Sequence, residues 1–600
     1  MKNLQKRLLV LTALLTMTPV VWAGDWHYDN VERVVAIADI HGAFDAMTAT
    51  LGKAKILDDD LNWSGGKAHL VVVGDIIDRG PGSRRAMELL MRLEGEAEAA
   101  GGRVHVLFGN HETMPMTGDL RYVSDAEYAA FADDEDLAER SRWLKLFAKR
   151  NGSDIDVVRA RFNKKFPPGY FAMRRAFRAD GRYGSWLLQK NIIVVINGTA
   201  FVHGGLSPAV AKLGLQGVNG KLKSDLAEYV RVLARLMDAE ILLPTDSHYD
   251  YGTILKNYLP SFSDKAETLH DVKAAIRLEE SELLSTAGPL WYRGNVVCPE
   301  IVEDYRLDDA LAAIDARRVV VGHTPTPNRK VLQRFDGRLI EIDTGMLHSY
   351  YKGSGNALII EGDTLSVVNQ SADEPGVPME HPRHVGRRPA DLGADELQEL
   401  LVQGNIVSIQ SEGGTTIATV QKDGNSVRAF FERRQGRGVY PDVAAYRLDK
   451  LLELDMVPVA VVREVDGRDG SLQFLPDNSF DEVERSSTGA GAGAHCPMML
   501  QWDAMYLFDT LIYNEGRSPS RMDYDRSSMQ LMLSEHDQAF LAKKGRPRHL
   551  ANAPLEVTRS WREALAGISD DVLAETLGDV LDKRRLRALA ARRDELLATE

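Results

Sequence analysis

Asp39, His41, Asp75, Asn110, His203 and His323 each follow a hydrophobic run and sit in or beside a glycine-containing turn. Such a run reads as a buried strand, and glycine at its exit lets the backbone turn sharply and approach a ligand closely. A lone histidine at a strand end is usually structural, so the joint occurrence carries the signal. Asp39 and His41 lie two residues apart, which lets both side chains point to the same side of an extended segment. With Asp75 they make one metal site; Asn110, His203 and His323, again with Asp75, make a second. A carboxylate can serve both because it has two oxygens. Two divalent ions leave an excess of positive charge over these ligands, which suits a phosphate dianion and a metal-bound hydroxide. Imidazole and oxygen donors favour manganese, iron or zinc over a thiolate-selecting metal. The chemistry expected is two-metal hydrolysis.

The elements that must position these groups are legible around residues 69–80, HLVVVGDIIDRG. An apolar strand there delivers Asp75, Asp78 and Arg79 to one patch, where buried charges need partners. A strand over 31–39 precedes it, then a helix over 44–57. A helix over 84–100, closed by Gly101-Gly102, and a strand over 104–108 follow. This is a pair of βαβ units, an α/β architecture, with Asp39, Asp75 and Asn110 at the strand exits where such folds bind ligands. A helical, charged insert over 113–190 is a candidate lid or an elaborated surface. Strands over 192–202 and 318–321 lead to His203-Gly204-Gly205 and Gly322-His323, with a second helical insert, 221–285, between them. Segments 339–345 and 357–361 complete the sheet, and 371–396 reads as a linker.

Six hundred residues exceed one ordinary core, so two domains plus accessory pieces are expected. The net charge of −14 argues against a nucleic-acid partner. Lys2, Lys6 and Arg7, the apolar run Leu8 to Leu15 and the ending Val21-Trp22-Ala23 have the layout of a secretory signal peptide over 1–23. The expectation is an exported, periplasmic protein with no stable membrane insertion after cleavage. Cys298 and Cys496 are far apart in sequence and are expected to be buried or inert thiols rather than a disulfide.

Asp39-x-His41-Gly42, Gly74-Asp75-x-x-Asp78-Arg79-Gly80, Gly109-Asn110-His111-Glu112, His203-Gly204-Gly205, Arg293-Gly294 and Gly322-His323 together resemble the metallo-phosphoesterases of the phosphoprotein phosphatase family, in particular its Shewanella-like branch. Ala38 stands where that family more often has glycine. The resemblance implies a calcineurin-like domain over 24–370, a β-sandwich flanked by helices with a dinuclear centre at the strand ends. It implies a phosphomonoesterase acting on phosphoproteins, in which a hydroxide bridging the metals attacks phosphorus in line. It implies that Arg79, Arg293 and Asn110 bind the substrate and that His111 protonates the leaving oxygen, oriented by Asp78. Forked guanidinium donors and an imidazole acid suit those tasks. Alternatives are a small phosphoester or a dinucleoside polyphosphate as substrate, or a non-catalytic phosphoprotein-binding scaffold.

Residues 397–600 resemble, through short motifs, the secretory-pathway casein-kinase type of atypical kinase, which implies a second, α+β domain. Gly516 stands where that family has a catalytic aspartate, Glu535 where it has a metal-binding aspartate, and Glu432 or Arg433 near the position of its phosphate-binding lysine. Without a carboxylate at Gly516 no group orients a hydroxyl nucleophile. The expectation is therefore a degenerate kinase-like domain serving regulation or substrate docking, with a nucleotide or a docking partner; the alternative is an unrelated α/β module.

Overall fold

The structure is a computed structural model that describes residues 26–599 apart from 260–265, 384–386, 390–391, 413–414, 437 and 492. The expected signal peptide lies outside the described residues. Val34–Ile37, His69–Val72 and Arg103–Val106 pair in parallel, Val34 opposite His69 and His69 opposite Arg103. The helices Phe44–Lys53 and Ser83–Ala99 make the crossovers, so the expected βαβ pair is present. Asn356–Glu361 and Thr364–Asn369 extend this into a five-stranded sheet on the far side of Val34–Ile37. A seven-stranded sheet runs from His27–Tyr28 through Ile193–Ile196, Thr199–Val202, Arg318–Val321, Leu339–Glu341 and Leu332–Arg334 to Met379–Glu380.

The alternation of side chains along each strand explains how the sheets stack. Val34, Ala36 and Ala38 turn one way, into a buried layer shared with Val194, Phe201, Val320 and Ile340 of the other sheet. Val35 and Ile37 turn the other way, toward the helices and their Met47, Leu51, Leu90 and Leu93. Both faces are dry, which is why the strand sequences are continuous apolar runs. The insert after the third parallel strand is helical as expected, and Trp143, Phe147, Phe162, Phe166 and Phe171 bury it in the main core. Part of the expected linker is also built into the body, since Met379–Glu380 pairs in parallel with Leu332–Arg334.

The C-terminal part is α+β. Its five-stranded antiparallel sheet has the order Asn405–Glu412, Thr415–Lys422, Asn425–Arg433, Arg468–Leu475, Ala460–Val465. A second, three-stranded sheet joins Ser479–Asp481, Met522–Asp525 and Leu531–Leu533. Ile301 and Val302, on the helix Glu300–Ala313 of the first part, are buried within this second core. No helix of the described residues is long and apolar enough to cross a membrane.

The expectation of two inert thiols is overturned. Cys298 and Cys496 form a disulfide with Cα atoms 5.0 Å apart, across a sequence separation of 198. Distance along the chain says nothing about distance in space once two cores dock, and the docking helix begins just after Cys298. Closing so long a loop contributes about 2–5 kcal/mol in the chain-entropy account. Reduction with dithiothreitol is therefore expected to lower the apparent Tm and to convert both cysteines from unlabelled to labelled by iodoacetamide in mass spectrometry. Full labelling without reductant would contradict the bond.

Candidate metal centre and catalytic residues

The strand exits converge on a dry pocket in which Asp39, His41, Asp75, Asn110, His203 and His323 are all buried. The backbone there is bent against its preferences. Asp39, His41, Asp75, Asp78, Arg79 and His323 all have φ between +44° and +72°. Each such residue costs about 1–3 kcal/mol, a strain that only a surrounding network sustains. The network is visible: His41 and Gly42 donate their amides to the carbonyls of Asp75 and Ile76, both at 2.9 Å. The Glu112 carboxylate accepts from the amides of Asp75, Ile76 and Gly109, each at 2.8 Å. Glycine is required at two close approaches. A Cβ on Gly109 would lie 2.2 Å from Asp75 Oδ1, and one on Gly322 2.4 Å from Asp39 Oδ1.

Asp75 stands at the centre. Its Oδ2 faces His41 Nε2 at 3.6 Å and His111 Nε2 at 3.8 Å, while its Oδ1 faces His203 Nε2 at 3.2 Å. The donors fall into two groups, His41–Asp75–His111 and Asp75–His203–His323, each with ligand atoms within 4.8 Å of one another. His41 donates from Nδ1 to the Ile77 carbonyl at 2.9 Å, and His203 from Nδ1 to that of Val73 at 2.7 Å. Both therefore present the Nε2 lone pair to the pocket, as metal-binding imidazoles do. Asn110 Oδ1 lies 3.0 Å from His203 Nε2, in the second group. Asp39 is buried alongside, and its carboxylate accepts from the His323 amide at 3.0 and 3.1 Å. Its carboxylate is outside both tight groups, in which His111 takes the place expected for it.

Electrostatics argue for missing positive charge. Burial, then the charges of Asp343 and Asp75, push Asp39 well above the usual carboxylate range. Burial also raises Asp75, but the neighbouring His203 and His111 outweigh it and hold that group well below its ordinary value. His323 Nε2 and Asp343 Oδ2 are buried without a hydrogen-bond partner. Unpaired acceptors and clustered carboxylates of this kind fit divalent cations, which would satisfy both.

Asp343 was not anticipated from the sequence. It is buried beside Asp39, accepts from the Gly345 amide at 3.0 Å, and burial pushes it up to about 6. The signal existed: Leu339-Ile340-Glu341-Ile342-Asp343-Thr344-Gly345 repeats the pattern of an apolar strand followed by Asp and Gly.

The expected catalytic pair meets. His111 Nδ1 lies 2.5 Å from Asp78 Oδ2, with both side chains buried. Asp78 is fixed in turn by Glu127, which accepts from the Asp78 amide at 2.9 Å. Arg79 lies over the rings of Tyr122, Tyr350 and Tyr351 at 4.9, 5.2 and 5.4 Å, and its Nη1 bonds the His41 ring. That aromatic cage had no local mark in the chain order, since Tyr122 and the Tyr350–Tyr351 pair come from separate segments. Arg293 donates from Nη1 to Thr324 Oγ1 at 2.9 Å and to the His323 carbonyl at 3.1 Å. Both arginines line a cavity of about 540 Å³ that also reaches His323.

Residues 32–327 match the family model described as calcineurin-like phosphoesterase. This part of the chain is similar to the calcineurin-like phosphoesterases. The match stops short of the C-terminal part. Among curated relatives, Shewanella-like protein phosphatase 2 of Arabidopsis thaliana is 30% identical over 203 residues, 33% of this chain and 52% of that protein. The chain thus spans about half the length of that relative. Shewanella-like protein phosphatase 1 of Plasmodium berghei is 24% identical over 325 residues, 53% of this chain and 69% of the other. Among solved structures, the cold-active protein-tyrosine phosphatase of a psychrophilic Shewanella is 26% identical, with a TM-score of 0.38, covering 58% of this chain and 81% of that one.

The close approach at Gly322 yields a test of the candidate metal site. Gly322→Ala is expected to push Asp39 aside and lower the metal bound per chain, read by plasma mass spectrometry, with circular dichroism unchanged. Undiminished metal in a folded variant would contradict the packing argument.

Proposed function

We propose that the chain is a metal-dependent phosphomonoesterase acting on phosphoproteins. The observation that carries this reading is Asp75, whose two oxygens face two separate groups of histidines. Asp39, His41 and Asp75 would hold one divalent ion and Asp75, Asn110, His203 and His323 the other, with manganese, iron or zinc fitting the donors. When bound, the ions supply Lewis acidity to the phosphate and acidify the attacking water.

The rest of the chemistry belongs to side chains. Arg79 and Arg293 hold phosphate oxygens with forked donors, and Asn110 adds an amide donor beside them. Arg79 has to release the His41 ring to do so, and the tyrosine cage gives the guanidinium a surface along which to move. His111 transfers its Nε2 proton to the leaving oxygen, which lets an alkoxide or phenoxide depart as the alcohol. Asp78 fixes the other ring nitrogen and stabilises the charged imidazolium.

The same reading extends to location and to the second domain. An exported, periplasmic protein is supported by the leader-like pattern over 1–23 and by the disulfide, which persists in oxidising compartments. A degenerate kinase-like domain over 397–600 is supported by the antiparallel sheet with the helix Pro441–Leu452 docked on it. Arg517 there is engaged by Asp509 at 2.8 Å, a structural role, and Gly516 itself offers no carboxylate.

Turnover of p-nitrophenyl phosphate tests the catalytic half. His111→Ala is expected to lower kcat by about 10²-fold or more, the usual worth of a positioned general acid. Asp75→Asn is expected to lose both metal and activity. A chelator should abolish turnover, and added Mn²⁺ or Zn²⁺ should restore it. Equal activity in parent and variants would leave only the phosphoprotein-binding scaffold. A panel of phosphopeptides, small phosphoesters and dinucleoside polyphosphates then decides the substrate class.

A further inference from the structure

The cavity above the metal centre is not closed by the phosphoesterase domain alone. Arg79, Arg293, His323 and Tyr350 line one side, while His495, Ser527, Ser528 and Gln530 of the C-terminal domain line the other. At about 540 Å³ it holds far more than a phosphate group.

The C-terminal wall is built rather than adjacent by accident. The disulfide joins Cys298, five positions after Arg293, to Cys496, the neighbour of His495. Gln530 donates from Nε2 to the Val297 carbonyl at 2.8 Å, and the His495 amide donates to the Ser528 carbonyl at 3.2 Å. Asp525 Oδ1 accepts from the amides of Ser527 and Ser528 at 3.0 and 2.8 Å and from their hydroxyls at 2.5 and 2.8 Å. Bond, turn and side-chain contact fix the wall at a set distance from the phosphate-binding arginines.

We propose that this wall is the leaving-group half of the substrate site and that His495 determines specificity by hydrogen-bonding the peptide that carries the phosphate. The proposal rests on the phosphoprotein phosphatase reading. A half-buried imidazole, paired hydroxyls and prolines at 325 and 327 offer a peptide main chain both polar partners and apolar contact. A compact aryl phosphate fills the arginine side of the cavity and touches the wall less. Burial and the nearby Arg293 charge hold His495 down to about 4, so its ring is neutral near pH 7 and can both donate and accept. His495 is not among the groups that move a proton in the proposed reaction, and its loss therefore registers in binding.

The experiment compares the full-length protein with His495→Ala, His495→Gln and the cavity-filling Ser527→Tyr, on a phosphopeptide and on p-nitrophenyl phosphate. His495→Ala is expected to raise the phosphopeptide KM about tenfold with kcat within about twofold, the worth of one lost hydrogen bond. The ratio of kcat/KM for peptide over aryl phosphate should fall with it. His495→Gln, which keeps a donor and an acceptor, should retain most of that ratio, and Ser527→Tyr should lower it as the alanine does. An unchanged ratio in folded His495→Ala and Ser527→Tyr, or equal losses on both substrates, overturns the proposal while the phosphatase reading stands. A parent protein that turns over neither substrate removes that reading, and this one with it.

Discussion

The structure depends on the repulsion between buried carboxylates. Asp39, Asp75 and Asp343 share one buried pocket; the Asp75 charge raises the cost of ionising both of the others, and Asp343 adds to that of Asp39. In a low-dielectric site like charges at such range cannot all be borne without cations between them. The histidines around Asp75 offer lone pairs directed by carbonyls behind them, which recruits a cation rather than replacing one. The left-handed residues at the exits have the same root. Strand direction alone would carry these side chains apart, and the sharp reversal of the backbone brings them to one point. Glu112 and the glycines at 109 and 322 make that reversal sustainable.

Around this centre the groups divide by distance from the charge. The metal donors sit deepest, and His111 with Asp78 forms a buried pair beside them. Arg79 and Arg293 stand at the rim, each held by neighbours it can leave. The C-terminal domain reaches the same rim from the opposite side, with its core anchored on Ile301 and Val302 and its wall fixed by the disulfide. A catalytic unit and a second domain thus share one cavity without sharing a sheet.

Much of the centre was legible in the sequence, because strand-exit chemistry leaves a local mark. An apolar run, then Asp, Asn or His beside a glycine, is visible without knowing the fold, and the residues it marks are all buried at the strand exits. The same rule applied at Ile342-Asp343-Thr344-Gly345 would have found Asp343, which was read only as the end of a strand. Other features had no local mark. The tyrosines around Arg79 come from separate segments and resemble ordinary surface or core aromatics in sequence. The disulfide was missed because it depends on how two cores dock, a property of surfaces assembled from many residues. Met379–Glu380 was hidden among polar and proline residues because an edge strand of that length needs little apolar character.

The central claim is that Asp75 holds a cation on each of its oxygens. Anomalous diffraction from crystals grown with Mn²⁺ measures this directly. The account predicts a pair of peaks about 3.5–4 Å apart, the usual spacing of two-metal sites, one beside each oxygen of Asp75. A single peak, or peaks remote from Asp75, would contradict it.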